Sequence, residues 1–429
     1  MKIAVVGQGA REHVMARAFH ESPSRPDVLV CPGSDGMLDV ARRIGVPPSE
    51  ILRVFRQEQI DLCVVGEEKY LEEGLADACR AAGIPVWGPD RSSARLETSK
   101  IFAKEFMSRH GVPTARFSVA STADRVRRAS SALPCVLKYD GLAAGKGVAV
   151  CATETDVEDF IRSVFDETRF GKNPNVLIEE CLEGKEISVI CAVSDGQYQM
   201  FVPARDYKRL RDGDSGPNTG GMGAVASPDL IPATIADDIE TSIIRPVMNG
   251  LEKDCLPYRG FLYFGLMLTA AGPKVLEFNC RFGDPEAQSV FELMGGDAAE
   301  YLSAAAQGKL NPRLLGVERK WAVTVVLASR NYPVRSGAGG LIAGLDRVDG
   351  ARIYHSGTRR NSDGTWEING GRVLSVVASA VTREAAVTRV YREVDKIRFD
   401  GMQVRRDIGR LHFDTVRESR LAGAVAGRE

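Results

Sequence analysis

Hydrophobic and polar positions follow two regimes along the chain. Continuous apolar runs, Lys2-Ile-Ala-Val-Val6, Val28-Leu-Val-Cys31, Leu62-Cys-Val-Val65 and Pro85-Val-Trp87, recur over residues 1–115, with helical patterns such as Val14-Met-Ala-Arg-Ala-Phe19 between them. Apolar runs without polar alternation predict strands buried on both faces of a parallel sheet. Strands alternating with helices predict an α/β, doubly wound domain with its binding crevice at the C-terminal ends of the strands. Residues 116–190 carry strands at 134–138 and 176–179 with a helix around 156–165, a small separate unit. Residues 191–320 carry a helical stretch at 233–255 and two antiparallel strands, Gly260-Phe-Leu-Tyr-Phe-Gly-Leu-Met-Leu268 and Lys274-Val-Leu276, joined through Ala271-Gly-Pro273. Residues 321–429 give strand-and-loop segments at 322–329, 353–358 and 369–377, a helix at 383–397 and a tail from 417 expected to fray.

Candidate chemistry concentrates where these elements end. In Glu277-Phe-Asn-Cys-Arg-Phe-Gly-Asp-Pro-Glu286, Glu277 and Asn279 are two residues apart on a strand and share a face. A carboxylate and an amide carbonyl are hard oxygen ligands, suited to Mg²⁺ beside phosphates. Arg281 continues that face by spacing and can hold an anionic group bidentately. Lys138 leads into Tyr139-Asp-Gly-Leu-Ala-Ala-Gly-Lys-Gly-Val148, where Gly141, Gly145 and Gly147 free the backbone N–H groups to close over phosphates and Lys146 adds positive charge. This is not a Walker A loop, because Gly147 follows Lys146. In Val176-Leu-Ile-Glu-Glu-Cys-Leu-Glu-Gly-Lys-Glu186, the connector Glu180, Cys181 and Leu182 can offer backbone groups to an adenine edge. Glu179 and Glu186 are candidate polar contacts there. The polar, glycine-rich loop 206–223 is too long for a simple turn and suits a small zwitterionic substrate. Gly7-x-Gly9 opens a dinucleotide-type fingerprint, but Glu12 stands where the third glycine belongs. The amides there, with Arg11, make a site for a single phosphate, or the glycines simply make a tight turn.

Composition narrows the class. The 429 residues, 44% apolar and 26% charged, are ordinary for a soluble protein of about three domains. A net charge of −1 gives no electrostatic footprint for nucleic acid or an anionic membrane. The nine cysteines form no C-x-x-C pair and mostly sit in apolar runs, which predicts buried thiols in a reducing compartment. No apolar run reaches membrane-spanning length, and the expected location is cytoplasmic.

Lys138-Tyr-Asp-Gly-Leu-Ala-Ala-Gly-Lys-Gly-Val148, Gly216-Pro-Asn-Thr-Gly-Gly-Met-Gly223 and the stretch 277–286, in this order, resemble the phosphoribosylamine–glycine ligase (glycinamide ribonucleotide synthetase) family of the ATP-grasp superfamily. The resemblance runs from Gly7-x-Gly-x-Arg-Glu-His13 to Arg405-Arg-Asp-Ile-Gly409. It implies an ATP-grasp fold preceded by the doubly wound domain (1–115), divided into a lid (116–190) and a central part (191–320), and followed by a small C-terminal α/β domain (321–429). It further implies ligation of glycine to 5-phosphoribosylamine through a glycyl phosphate made with ATP and Mg²⁺ or Mn²⁺, by a monomer or weak homodimer. Lys100, Lys138 and Lys146 would hold the ATP phosphates, Glu277 and Asn279 the metal. Arg281 and Lys146 would act on the transferred group. Asp214 and Asn218, Thr219, Gly220 and Gly221 would form the acceptor pocket. The ribose phosphate would lie against Gly7, Gly9, Arg11, Gly33 and Ser34, with Gly370, Gly371 and Arg372 closing that site. The family usually has Gly-Asn-Gly-Gly-Arg-Glu where Gln8 and Ala10 stand, Gly-Pro-Glu where Glu67 stands, a histidine at Tyr207 and a glycine at Asn331. These departures lie in substrate loops, so a relative with the same acyl-phosphate chemistry but another amine stays open. So does a nicotinamide-dependent oxidoreductase on the first sheet, against which Glu12 counts.

Overall fold

The computed structural model describes residues 1–143, 147–171 and 174–410; the tail from 417 lies outside them. Five strands, Lys2–Gly7, Asp27–Pro32, Arg42–Arg43, Leu62–Val65 and Val86–Trp87, form an all-parallel sheet. The third strand lies at one edge, followed by the second, first, fourth and fifth. The order reverses between the first and fourth strands, which is where such sheets open a binding crevice. The loops leaving those strands begin at Gly7 and Gly66. The side chains of Ile3 to Val6 and Leu62 to Val64 are fully buried, as strands covered on both faces require.

The lid is a four-stranded antiparallel sheet of Phe117–Ala120, Val176–Glu180, Cys135–Tyr139 and Val148–Cys151. Among the described residues its core, including Val126, Leu137, Val157 and Ile178, is drawn from residues 116–190. Thr153 and Asp156 cap its helix Glu154–Ile161 reciprocally, the Asp156 carboxylate accepting from Thr153 N at 2.8 Å.

The largest sheet carries the central part and continues past it. Gly272–Asn279 pairs with Arg259–Thr269, and the path runs on through Lys185–Ser194, Ala204–Asp206, Gly223–Ala226, Trp321–Ala328 and Arg372–Ala380 to Arg352–His355. The stretch expected to be helical at 233–255 holds two α-helices, Ala233–Ile239 and Arg245–Lys253, joined by the π-turn Glu240–Ile244. Pro246 supplies the reason: lacking an N–H, it disrupts the regular ladder one turn upstream.

The strand Gly272–Asn279 contains one irregularity that matters. Pairing passes from Gly265↔Glu277 directly to Leu266↔Val275, which leaves Leu276 as the extra residue of a bulge. Pro273 and Val275 face the core, then Phe278 does, so the alternation slips by one at Leu276. The slip turns Glu277 and Asn279 together away from the core. Seven of the nine cysteines are buried, and all nine are free thiols.

Candidate functional site

Two clefts meet at the end of Gly272–Asn279. The inner one, about 110 Å³, lies between the helix Lys100–Arg109, the lid and that strand. Ser99 caps the helix, its hydroxyl accepting from Phe102 N at 3.2 Å. Lys100 Nζ donates to Gly141 O at 2.8 Å, tying the helix to the start of the glycine-rich loop. Lys138 Nζ donates to the bulge carbonyl of Leu276 at 3.0 Å and pairs with Glu179 Oε1 at 2.9 Å. Lys104, one turn beyond Lys100, reaches the same Glu179 oxygen at 3.3 Å. Burial pulls the Lys104 ammonium down to about 8 although Glu179 opposes the shift. Gly147 also lines this cavity, whereas Gly145 and Lys146 lie outside the described residues.

Glu277 and Asn279 both line the inner cleft. Burial would raise the Glu277 carboxyl, but Lys208, Lys138, Lys100 and Arg281 hold it below the usual carboxylate range. Lys208 Nζ bridges Glu277 Oε1 at 3.6 Å and Glu186 Oε2 at 3.2 Å. With its nitrogen turned toward the nearby acceptors, the Asn279 amide donates to Phe278 O at 3.2 Å and to Glu97 Oε1 at 3.0 Å. Its carbonyl oxygen then points away from Glu97.

The outer cleft, about 600 Å³, is assembled from three distant segments. The first domain contributes Gly9, Arg11, Gly33 and Ser34; the central part contributes Asn218, Thr219 and Gly220; the C-terminal part contributes Gly370, Gly371 and Arg372. Arg372 fixes the junction, with Nη1 donating to Asp284 O at 2.8 Å and to Gly220 O, and Nη2 pairing with Asp284 Oδ2 at 3.0 Å. Tyr332 hydroxyl accepts from Gly220 N at 2.7 Å.

Arg281 and Arg11 stand between the clefts. Arg281 pairs with Glu97 Oε1 at 3.0 Å and with Glu68 Oε2 at 3.2 Å. Arg11 reaches the same Glu68 oxygen at 3.7 Å and Glu12 Oε1 at 2.7 Å. Glu68 lines both clefts. Burial works against its charge, yet Arg281 and Arg11 hold its carboxyl down at about 2.

Some expected groupings do not form as the sequence suggested. The helix-start amides offered to a phosphate are taken by the chain's own carboxylates: Gly9 N donates to Glu12 Oε2 at 2.7 Å and Gln8 N to Glu67 Oε1 at 3.0 Å. The Glu12 carboxylate occupies the space beside Gly7 and Gly66, where an added Cβ would meet its side chain at 2.6 and 2.4 Å. The Gly9 and Gln8 amides are therefore already engaged and not offered to a dinucleotide pyrophosphate. Asp214 is brought to neither cleft; it pairs with the fully buried Arg405 at 2.8 Å. Gly7 and Gly221 stand behind the outer cleft wall, Gly221 packed against Pro285. Of the two candidate polar contacts, Glu179 is enclosed between two lysines and Glu186 is paired with Lys208 at 3.2 Å, while the Glu180 carboxylate accepts from Arg116 N at 3.0 Å. Cys181 and Leu182 form the connector that follows Val176–Glu180, between it and Lys185–Ser194. Tyr207 does not enter either cleft; it is buried between Arg205 and Arg405, whose guanidinium carbons lie 5.2 and 5.1 Å from its ring. Glu68, Glu97, Lys104 and Asp284 went unremarked in the sequence. Only Lys104 carries a signal, since it shares a helix face with Lys100 four residues earlier.

Three segments match family models: residues 1–97 the phosphoribosylglycinamide synthetase N domain, 98–287 its ATP-grasp (A) domain and 322–411 its C domain. A phosphoribosylamine–glycine ligase of Chlorobaculum tepidum is 41% identical over 423 residues, covering 95% of this chain and 99% of the relative. A solved phosphoribosylamine–glycine ligase from Thermotoga maritima superposes with a TM-score of 0.84 at 34% identity, covering 95% of this chain and all of that one. The biotin carboxylase domain of Hydrogenobacter thermophilus 2-oxoglutarate carboxylase, solved with MgADP and bicarbonate, shares the fold with a TM-score of 0.71 at 17% identity, over 94% and 91% of the two chains.

Proposed function

Because the chain belongs to the phosphoribosylglycinamide synthetase family, we propose that it joins glycine to 5-phosphoribosylamine with ATP, giving glycinamide ribonucleotide, ADP and phosphate in purine biosynthesis. The observation that carries this reading is the junction of a lysine-lined cavity with a wide polar cleft at Arg281 and Glu68. A carboxylate does not react with an amine at neutral pH, because its carbonyl is deactivated and oxide is a poor leaving group. Transfer of the terminal phosphoryl group of ATP to the glycine carboxylate gives an acyl phosphate. The amine then attacks that carbonyl and phosphate departs. Such transfer demands positioning and charge neutralisation more than a covalent protein group.

In this reading Lys100 and Lys138, beside Gly141 and Gly147, hold the nucleotide phosphates in the inner cleft, and the roles given to Gly145 and Lys146 rest on the sequence pattern alone. Glu180, Cys181 and Leu182 border its base. Arg281, already clamped by two carboxylates, orients the transferred group without reorganising as charge develops. Gly9, Arg11, Gly33, Ser34, Asn218, Thr219, Gly220, Gly371 and Arg372 receive the phosphoribosylamine and glycine side. Glu277 and Asn279 would hold the divalent ion, Mg²⁺ or Mn²⁺. Among the described residues no cluster of three or more His, Cys, Asp or Glu is arranged for a metal, so phosphate oxygens would complete the shell. The donor set, one carboxylate and one amide oxygen turned from Glu97, fits a hard cation. When bound, that ion neutralises charge on the phosphates. The division into units at 115, 190 and 320 belongs to the same proposal; the lid's separate core supports a unit that ends with Val176–Glu180, and Lys185–Ser194 already pairs in the largest sheet. Among the described residues no helix is long and apolar enough to cross a membrane.

The test is ADP release from ATP with glycine and phosphoribosylamine, omitting each in turn. Turnover that needs both and yields glycinamide ribonucleotide is the expected result. Turnover that ignores phosphoribosylamine but responds to another amine would overturn the substrate assignment and direct attention to Gln8 and Glu67, which meet in the outer cleft.

A further inference from the structure

We infer that Glu97 is a positioning residue that decides which end of the Asn279 amide faces the metal, while fixing Arg281 with the same carboxylate. Glu97 is 8% exposed and lies on the short helix Arg95–Thr98, just ahead of Lys100. Its Oε2 accepts from Cys280 N at 2.6 Å. Its Oε1 meets Arg281 Nη2 at 3.0 Å and, with the Asn279 amide turned to present its nitrogen to the surrounding acceptors, that nitrogen at 3.0 Å. One side chain therefore holds three consecutive residues of the strand end, across more than 180 positions of sequence.

A side-chain amide has two orientations of nearly equal shape, and only its oxygen ligates a cation. Glu97 Oε1 already faces the Arg281 guanidinium and Oε2 accepts from Cys280 N, so both oxygens meet the strand as acceptors and stabilise the orientation with nitrogen inward and oxygen outward. This is the relation by which groups behind a metal site orient its ligands. It rests on the reading of Glu277 and Asn279 as the metal pair. In Glu97→Gln the shape is kept but one oxygen becomes an NH₂ donor. The remaining oxygen stays on the buried Cys280 N–H, and the new donor faces Asn279. The Asn279 amide must then turn its oxygen inward and present nitrogen to the cation.

The experiment is Mn²⁺ binding in the presence of ADP, followed by electron paramagnetic resonance, for wild type, E97Q, N279A, N279D and E97Q/N279D. E97Q is expected to weaken Mn²⁺ binding by about 10- to 100-fold, as loss of groups behind a metal site does. A carboxylate at position 279 has two equivalent oxygens and needs no orienting. N279D is therefore expected to recover in the E97Q background the Mn²⁺ affinity that E97Q loses, a rescue that general damage by E97Q would not allow. Mn²⁺ affinity in E97Q within twofold of wild type would overturn the inference, and so would an affinity of E97Q/N279D no higher than that of E97Q. If N279A itself leaves Mn²⁺ binding unchanged, the metal assignment fails, independently of Glu97. Thermal unfolding of each variant checks that it is folded when titrated.

Discussion

Glu179→Gln isolates the energetics of the buried lysine pair. Glu179 Oε1 lies 3.3 Å from Lys104 and 2.9 Å from Lys138, and the Lys104 and Glu179 side chains are each 2% exposed. Removing one partner of a buried ion pair typically costs about 3–5 kcal/mol, because the other charge is stranded. Lys104 has a cheaper escape. Its ammonium already titrates at about 8, below its ordinary value of 10.5. Releasing its proton in the folded state costs on the order of 1 kcal/mol per unit by which the pH lies below 8, so roughly 3 kcal/mol at pH 6, roughly half that at pH 7 and little above pH 8. The lower route wins. The Lys104 share of the destabilisation in Glu179→Gln therefore shrinks as pH rises from 6 to 8. The sign agrees with linkage: a lysine whose folded value is lowered makes the wild-type protein gain stability as pH climbs from about 8 to 10.5, where the unfolded chain binds more protons. Urea unfolding of wild type and variant at pH 6, 7 and 8.5 measures this directly. A destabilisation that stays constant or grows with pH would refute neutralisation of Lys104 as the response.

Glu277→Ala should leave the thermal unfolding transition nearly intact, since Glu277 faces a cleft, yet abolish metal-dependent ADP formation; unchanged turnover would remove Glu277 from the metal site. Arg281→Lys replaces a fork held by both Glu68 and Glu97 with a single ammonium, and kcat should fall about 10²- to 10³-fold with the fold retained, read by steady-state kinetics. Tyr207→His places an imidazole into a packing position between Arg205 and Arg405. It should lower the unfolding free energy by about 1–2 kcal/mol through two weakened cation–π contacts while the KM for every substrate stays within twofold, and a large KM change would place Tyr207 in the substrate machinery instead.

Much of this arrangement is legible in the residues, and the illegible part has a common cause. Period-two spacing placed Glu277 and Asn279 on one face, and continuous apolar runs gave the parallel sheet its strands. The bulge at Leu276 has no sequence mark, because it is set by pairing with Arg259–Thr269, yet it decides that Glu277 and not Phe278 looks outward. Glu97 and Glu68 act through partners 183 and 213 residues away, which no local pattern encodes. Asp214 shows the converse error: a polar residue in a glycine-rich loop reads as substrate-facing, but Arg405, 191 residues later, claims it. Glu12 was legible as the wrong residue for a dinucleotide turn; its role as the internal occupant of that turn needed the packing around Gly7 and Gly66.

The sheet that begins at Gly272–Asn279 has a practical consequence for dissecting the chain. Trp321–Ala328 is hydrogen-bonded on one side to Gly223–Ala226 and on the other to Arg372–Ala380. A fragment ended at residue 320 would strip Gly223–Ala226 of a neighbour, and the complementary fragment would begin with the matching strand bare along its length. Both would expose apolar backbone edges of the kind that template aggregation. Co-expressed halves should therefore find each other and reconstitute, while either half alone should accumulate in the insoluble fraction.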